Sequence, residues 1–148
     1  MKKTIILIPV FNDWDSLKKL IKEINENIKG FEDINFECLV VNDASTIDQP
    51  KLTRPNNIKS FEILNMKENT GHARCNAFGI RYVFQNKKFD NLILMDGDGE
   101  DRPVEIKSLL NNIKDEPHFS VVAKRVKRSE GIFFQFLYQV HKLITFIL

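Results

Sequence analysis

Strand-like and helix-like segments alternate along this chain and predict an α/β fold built on a mainly parallel sheet. Three observations carry that prediction. Short, continuous apolar runs at Thr4–Pro9 and Phe36–Val41 suit strands covered on both faces. Stretches with apolar residues at helical spacing separate such runs. Polar clusters follow the first, second and fourth predicted strands, and ligand sites of open parallel sheets form at those strand ends.

Thr4–Pro9 is the first strand. Residues 15–29 carry Leu17, Leu20, Ile21, Ile24 and Ile28 on one stripe, so a helix is expected there, with Gly30 as its C′ residue. Phe36–Val41 is the second strand and runs into Asn42-Asp43. Two prolines and scattered polar residues make Ser45–Asn57 a loop rather than a crossover helix. Ile58–Leu64 alternates in polarity, as a strand nearer an edge does. Residues 73–85 read as a helix and Asn91–Met95 as the fourth strand. Pro103–Lys114 reads as a helix with proline in its first turn, and Phe119–Ala123 as a fifth strand. There is no internal repeat.

With 148 residues, 43% apolar and 28% charged, the chain has the composition of one globular domain. Its net charge of +2 is unevenly spread. Residues 124–148 hold five basic residues and one acid, while the remainder holds 17 basic and 19 acidic residues. The basic end is also the most apolar, which suits an anionic membrane surface better than nucleic acid. Twelve of the 17 residues in 132–148 are apolar, with Gln135, Gln139 and Lys142 on one face. That segment reads as an amphipathic helix, either interfacial or packed on a core. Cys38 and Cys75 lack metal-ligand spacing and are expected to be buried thiols in a reducing compartment. The apolar run after Lys2-Lys3 is too short for a signal peptide, so a cytoplasmic location is expected.

The segment Leu94-Met95-Asp96-Gly97-Asp98-Gly99-Glu100-Asp101 carries the strongest chemical signal. A buried strand ending in an Asp-x-Asp turn brings carboxylates to the sheet rim. Their hard oxygens suit Mg²⁺ or Mn²⁺, ions that commonly bridge protein carboxylates to substrate phosphates. Taken alone, such a turn is equally an acidic surface loop. Pro9-Val10-Phe11-Asn12-Asp13 and Asn42-Asp43-Ala44-Ser45 add two more polar strand ends, and in a parallel sheet all three converge on one edge.

These segments resemble the motifs of family 2 glycosyltransferases of the GT-A fold. Ile8 to Asp13 looks like their Pro-Val-Tyr-Asn-Glu opening, and Val41 to Asp48 is similar to their Val-Asp-Asp-Gly-Ser-Thr-Asp segment. Asn69-Thr70-Gly71-His72-Ala73-Arg74-Cys75-Asn76 resembles an Asn-x-Gly helix start. Met95 to Asp101 is similar to the Met-Asp-Ala-Asp-x-Gln-Asp form of dolichyl- and polyprenyl-phosphate sugar synthases. The four motifs occur in order over residues 4 to about 125.

The resemblance implies a GT-A, Rossmann-like catalytic domain over 1–125, followed by a basic turn and an amphipathic helix over 126–148. It implies that Pro9, Phe11, Asp13, Val41 and Asp43 form the base and ribose pocket of a nucleotide-sugar. Asp96 and Gly97 would lie beside the ribose and diphosphate, and Arg74 would be a further diphosphate contact or a solvated helix arginine. Asp96, Asp98 and Glu100 would hold Mg²⁺ or Mn²⁺, with Asp98 and Arg125 in the catalytic set. The implied reaction is inverting transfer of a sugar to a polyprenyl phosphate at the inner face of the cell membrane.

Several positions depart from the family pattern. Glu100 stands where glutamine is usual, Phe11 replaces tyrosine, Asp13 replaces glutamate, Asn42 replaces the first aspartate of a pair, and Ala123 replaces a glycine. Family members also continue further, and in many the continuation supplies an acidic general base, worth roughly 10²–10⁴ in rate. An ionised lipid phosphate needs no such base, and Arg125 and Arg128 ahead of 132–148 offer a headgroup site or a solvated basic turn. The alternatives are a cell-surface glycan acceptor and a nucleotide-binding domain that is inactive alone or completed by a partner chain.

Overall fold

The computed structural model describes residues 1–115 and 120–123. Among these residues four strands form one parallel sheet: β1 (Lys2–Val10), β2 (Ile34–Asn42), β3 (Ile58–Asn65) and β4 (Asn91–Leu94). Their spatial order is β3-β2-β1-β4. β1 is central, with Leu7 opposite Leu39 on one side and Leu94 on the other. The chain winds outward from β1 through β2 to β3, then returns across the sheet to place β4 on the far side of β1. β1 therefore stands at the point where the winding reverses, and ligands of open α/β sheets bind in the crevice beyond the strands' carboxyl ends at such a point.

Alternation along the strands divides the core into two layers. Ile6, Ile8 and Val10 of β1 join Phe36, Cys38 and Val40 of β2 on one face. There they pack on α1 (Trp14–Asn27), through Trp14, Leu17, Leu20, Ile21 and Ile24, and on Ile106 and Leu110 of α3 (Ile106–Asp115). Ile5, Leu7, Leu39 and Val41 face the opposite side, with Cys75 and Val83 of α2 (His72–Asn86). Side chains of period two on the strands thus meet helical stripes of period 3.6 on both faces, which makes a three-layer α/β/α sandwich.

Most predicted elements stand within one to three residues of their expected ends. The chain leaves α1 through Gly30 at φ +95°, a left-handed conformation that glycine adopts without steric penalty. Residues 43–57 cross from β2 to β3 without a helix, and β3 is an edge strand as its alternation suggests. Pro103 opens a short 3₁₀ turn, Pro103–Glu105, ahead of α3 rather than belonging to one continuous helix. The fifth strand is a correction: residues 120–123 are not in a strand, and Val122 is 83% exposed. Strand propensity reflects packing on a half-buried surface, and an exposed Val122 contributes no such burial. Phe119, the basic turn with Arg125 and Arg128, and the 132–148 segment lie outside the described residues. Among those described, no helix is long and apolar enough to cross a membrane.

Candidate nucleotide-sugar site

Four chain segments meet at the carboxyl ends of β1, β2 and β4, and each contact between them has a local cause. Asn12, just after β1, adopts φ +58°, a conformation that asparagine tolerates better than most residues. Its Oδ1 accepts from the backbone N–H of Thr46 (2.7 Å) and of Ile47 (3.1 Å), and its own N–H donates to Ser45 Oγ (2.9 Å). Trp14 Nε1 donates to the Ile47 carbonyl at 3.1 Å. The loop after β1 is thereby fastened to the loop after β2. Asn42 holds the second loop from within: it is buried, its Oδ1 accepts from Ser45 N–H (2.9 Å), and its Nδ2 donates to Asn65 Oδ1 (2.8 Å).

Asp43 is buried and spans from β2 to the start of α2. Its Oδ1 accepts from Thr70 N–H and its Oδ2 from Gly71 N–H, both at 2.9 Å, with Thr70 Oγ1 also donating at 3.3 Å. Gly71, at φ +86°, is the N-cap of α2 and supplies no side-chain cap. The amides that open α2 therefore form a partly positive helix end suited to an anion.

The acidic turn closes the ring. A side chain on Gly97 would meet the Pro9 carbonyl at 2.6 Å, so the backbone after β4 packs directly on the end of β1. Asp96 N–H donates to Asp101 Oδ2 (2.8 Å), Glu100 N–H donates to Asp98 Oδ1 (2.9 Å), and Gly99 turns at φ +81°. His72, in the first turn of α2, places Nε2 3.4 Å from Asp96 Oδ1 and 3.0 Å from Asn76 Nδ2. Burial raises the Asp96 carboxyl pKa; His72 pulls it down, and the Asp101, Asp98 and Glu100 carboxylates push it up.

A cavity of about 360 Å³ lies between these segments, lined by Pro9, Val10, Phe11, Asp43, Asn69, Gly71, His72 and Cys75. Its volume is at the small end of the usual ligand range. Phe11 is 46% exposed beside it and offers an aromatic surface. Cys75 donates to the Val41 carbonyl at 3.6 Å, and burial pushes its thiol up to about 11; Cys38 is pushed up to about 12. Both thiols belong to the core.

Of the residues expected at the site, Pro9, Phe11 and Asp43 line the cavity, while Asp96 and Gly97 adjoin it through His72 and Pro9. Three others sit differently. Asp13 is exposed and accepts from Ser16 N–H (3.2 Å) as the N-cap of α1. Val41 is fully buried under α2, and Arg74 is exposed and outside the cavity lining. Arg125 lies outside the described residues. Among those described, no three His, Cys, Asp or Glu side chains are grouped to hold a metal ion, so Asp96, Asp98 and Glu100 do not form a ready-made set. Sequence reasoning assigned no role to Asn12, Asn42 or His72. The available signals were an asparagine at or just beyond the carboxyl end of each of two strands and a polar residue directly after Gly71.

Fold and rim together define a doubly wound α/β protein with a cavity where the ends of β1 and β2 meet the start of α2. Residues 5–147 match glycosyl transferase family 2, and the chain belongs to that family; its sheet is that family's GT-A, Rossmann-like one. It is 27% identical over 115 residues to an uncharacterized protein of Methanocaldococcus jannaschii, covering 75% of this chain and 47% of that one. It is 27% identical over 134 residues to an undecaprenyl-phosphate 4-deoxy-4-formamido-L-arabinose transferase of Klebsiella pneumoniae, covering 90% of this chain and 40% of the relative. The transferase of the same name from Proteus mirabilis is 26% identical over 136 residues. The chain spans less than half the length of each of these curated relatives.

Proposed function

We propose that this chain binds a nucleotide-sugar in the cavity between the ends of β1 and β2 and the start of α2, and that it serves transfer of the sugar to a polyprenyl phosphate at the inner face of the cell membrane. One observation carries the reading: Phe11, Asp43 and the start of α2 line one small cavity, and Asp96 reaches its edge through His72. Phe11 suits the base, and the α2 amides suit the diphosphate. The names of the Klebsiella and Proteus relatives support the lipid-phosphate acceptor.

The donor set at the turn suits a hard divalent cation that shares its coordination with water and phosphate, as Mg²⁺ and Mn²⁺ do. The carboxylates crowded around Asp96 favour a cation, because each disfavours ionisation of the next. Asp96 and Asp98 would hold the ion, with Glu100 beside them. When bound, the ion would neutralise the nucleoside diphosphate as it leaves. In an inverting transfer, a phosphate oxygen of the acceptor bonds to the anomeric carbon as the bond from that carbon to the diphosphate breaks on the opposite side. An ionised phosphate needs no protein base for this step, and Arg125 is the residue proposed to hold it.

The test is isothermal titration of the chain with UDP and with GDP, each with Mn²⁺ and with EDTA. One nucleotide is expected to bind in the presence of the ion, and Asp98→Ala is expected to remove the ion's effect. Failure of both nucleotides under both conditions would sink the donor site. Equal affinity with Mn²⁺ and EDTA would sink the metal assignment alone. Sugar transfer to a soluble glycan with no lipid phosphate present would replace the lipid acceptor.

A further inference from the structure

A second cavity, of about 330 Å³, lies between α1 and the segment that leads into β3. It is separate from the donor crevice and shares no lining residue with it. Lys18 and Lys22 stand one helical turn apart on α1, and Lys51 faces them from the loop. Asn25 and Thr53 add amide and hydroxyl groups, while Ile21 and Leu52 form an apolar floor continuous with the core.

The charges here are unbalanced. No carboxylate lines the cavity. Lys18 has a loose partner in Asp15 at 3.7 Å, and Glu26 accepts from Asn25 Nδ2 at 3.3 Å, but both acids lie outside the lining. Among the described residues, Lys22 and Lys51 have no ion-pair partner. The Asn25 Oδ1 acceptor is already used by the Asn57 N–H at 2.9 Å. The side chains left to meet a ligand are therefore mainly donors, three of them cationic, above an apolar base. Such a set matches a compact phosphate ester, whose oxygens accept from the ammonium groups while its carbon skeleton rests on Ile21 and Leu52.

We infer that this cavity is a binding site for a phosphate ester, either a soluble one or the headgroup of an anionic phospholipid. In the second case the α1 face of the domain would lie against the membrane surface. The site does not depend on the donor reading, and its test does not use nucleotides.

The test compares the full chain with Lys22→Gln/Lys51→Gln and Lys22→Glu/Lys51→Glu, each checked for an unchanged circular dichroism spectrum. Glycerol 3-phosphate is titrated calorimetrically, and co-sedimentation is measured with phosphatidylglycerol and phosphatidylcholine vesicles. Saturable glycerol 3-phosphate binding that weakens roughly tenfold or more in the variants would establish a soluble ligand. Binding only to phosphatidylglycerol vesicles, weakened similarly, would establish the lipid source. No binding to either probe, or binding that the variants leave intact, would overturn the inference.

Discussion

Asp43 is occupied before any ligand arrives. Both of its oxygens already accept backbone N–H bonds from the segment that opens α2. Its first task is thus to set the position of the helix start, ahead of the proposed contact with a nucleotide. Asp43→Asn would place an NH₂ group against one of those amides and leave it unpaired in a buried place. The expected loss is about 1–3 kcal/mol of unfolding free energy, measured by urea denaturation, together with weaker nucleotide binding. An unchanged midpoint would show that the loop finds other partners. In the sequence Asp43 stands out as a carboxylate directly after a buried strand, and in the structure it lines the cavity. Asp13 and Val41 lie outside that lining, because a motif gives position along the chain but not direction. Asp13 turns back to cap its own helix, and Val41 falls on the inward phase of its strand.

α2 lies close on the sheet because Gly79 allows it. A Cβ there would stand 2.7 Å from Leu7 Cδ1 and 3.0 Å from Val41 Cγ2, both on fully buried residues. Gly79→Ala would gain about 1 kcal/mol in helix propensity and lose about 1–3 kcal/mol by overpacking. A net loss is expected, read as a lower urea midpoint; a higher midpoint would show that Leu7 repacks freely. The other end of α2 is tied to β3 through Glu62, which accepts from Lys87 Nζ (2.6 Å) and Tyr82 OH (2.7 Å). Burial alone would raise the Glu62 pKa, but the hydrogen bonds from Lys87 and Tyr82 and the Lys87 charge bring it below the ordinary 4.5. The stability gained is present above that value and disappears as pH falls through the lowered one. Glu62→Gln should cost at most about 1 kcal/mol near pH 7, and the difference from the parent should vanish in acid. Helices and strands of this kind were legible because their periods are strong. The fifth strand was misjudged because Val121-Val122 looks like a core strand whether or not a layer exists to receive it.

The molecule as a whole places its cavity at the carboxyl end of the central strand β1, so the proposed donor site depends on the sheet rather than on one loop. A ligand that binds only the folded chain should stabilise all of it. At 100 times its Kd, the nucleotide with Mn²⁺ should add about 2.7 kcal/mol, a rise of roughly 5–10 °C in Tm by differential scanning calorimetry. The rise should be absent in Gly97→Ala, because that Cβ would force the acidic turn away from Pro9. The general location of the site was legible, since three polar strand ends had to share an edge. The bonds that fasten those ends to each other, from Asn12 to the β2 loop and from Asp43 to α2, were not. Such contacts exist only once distant segments have been folded together.

The central place of β1 also has a consequence for how the chain is made. Thr4 pairs with Phe36 on one side and with Asn91, 87 residues further on, on the other. At roughly 5–20 residues per second of synthesis, β4 leaves the ribosome about 4–17 s after β1. For that interval the most buried of the described strands has an open edge, able to pair with a neighbouring nascent chain. The order of the strands thus makes the interval between the synthesis of β1 and of β4 a period in which this protein is exposed to misassembly through an open sheet edge.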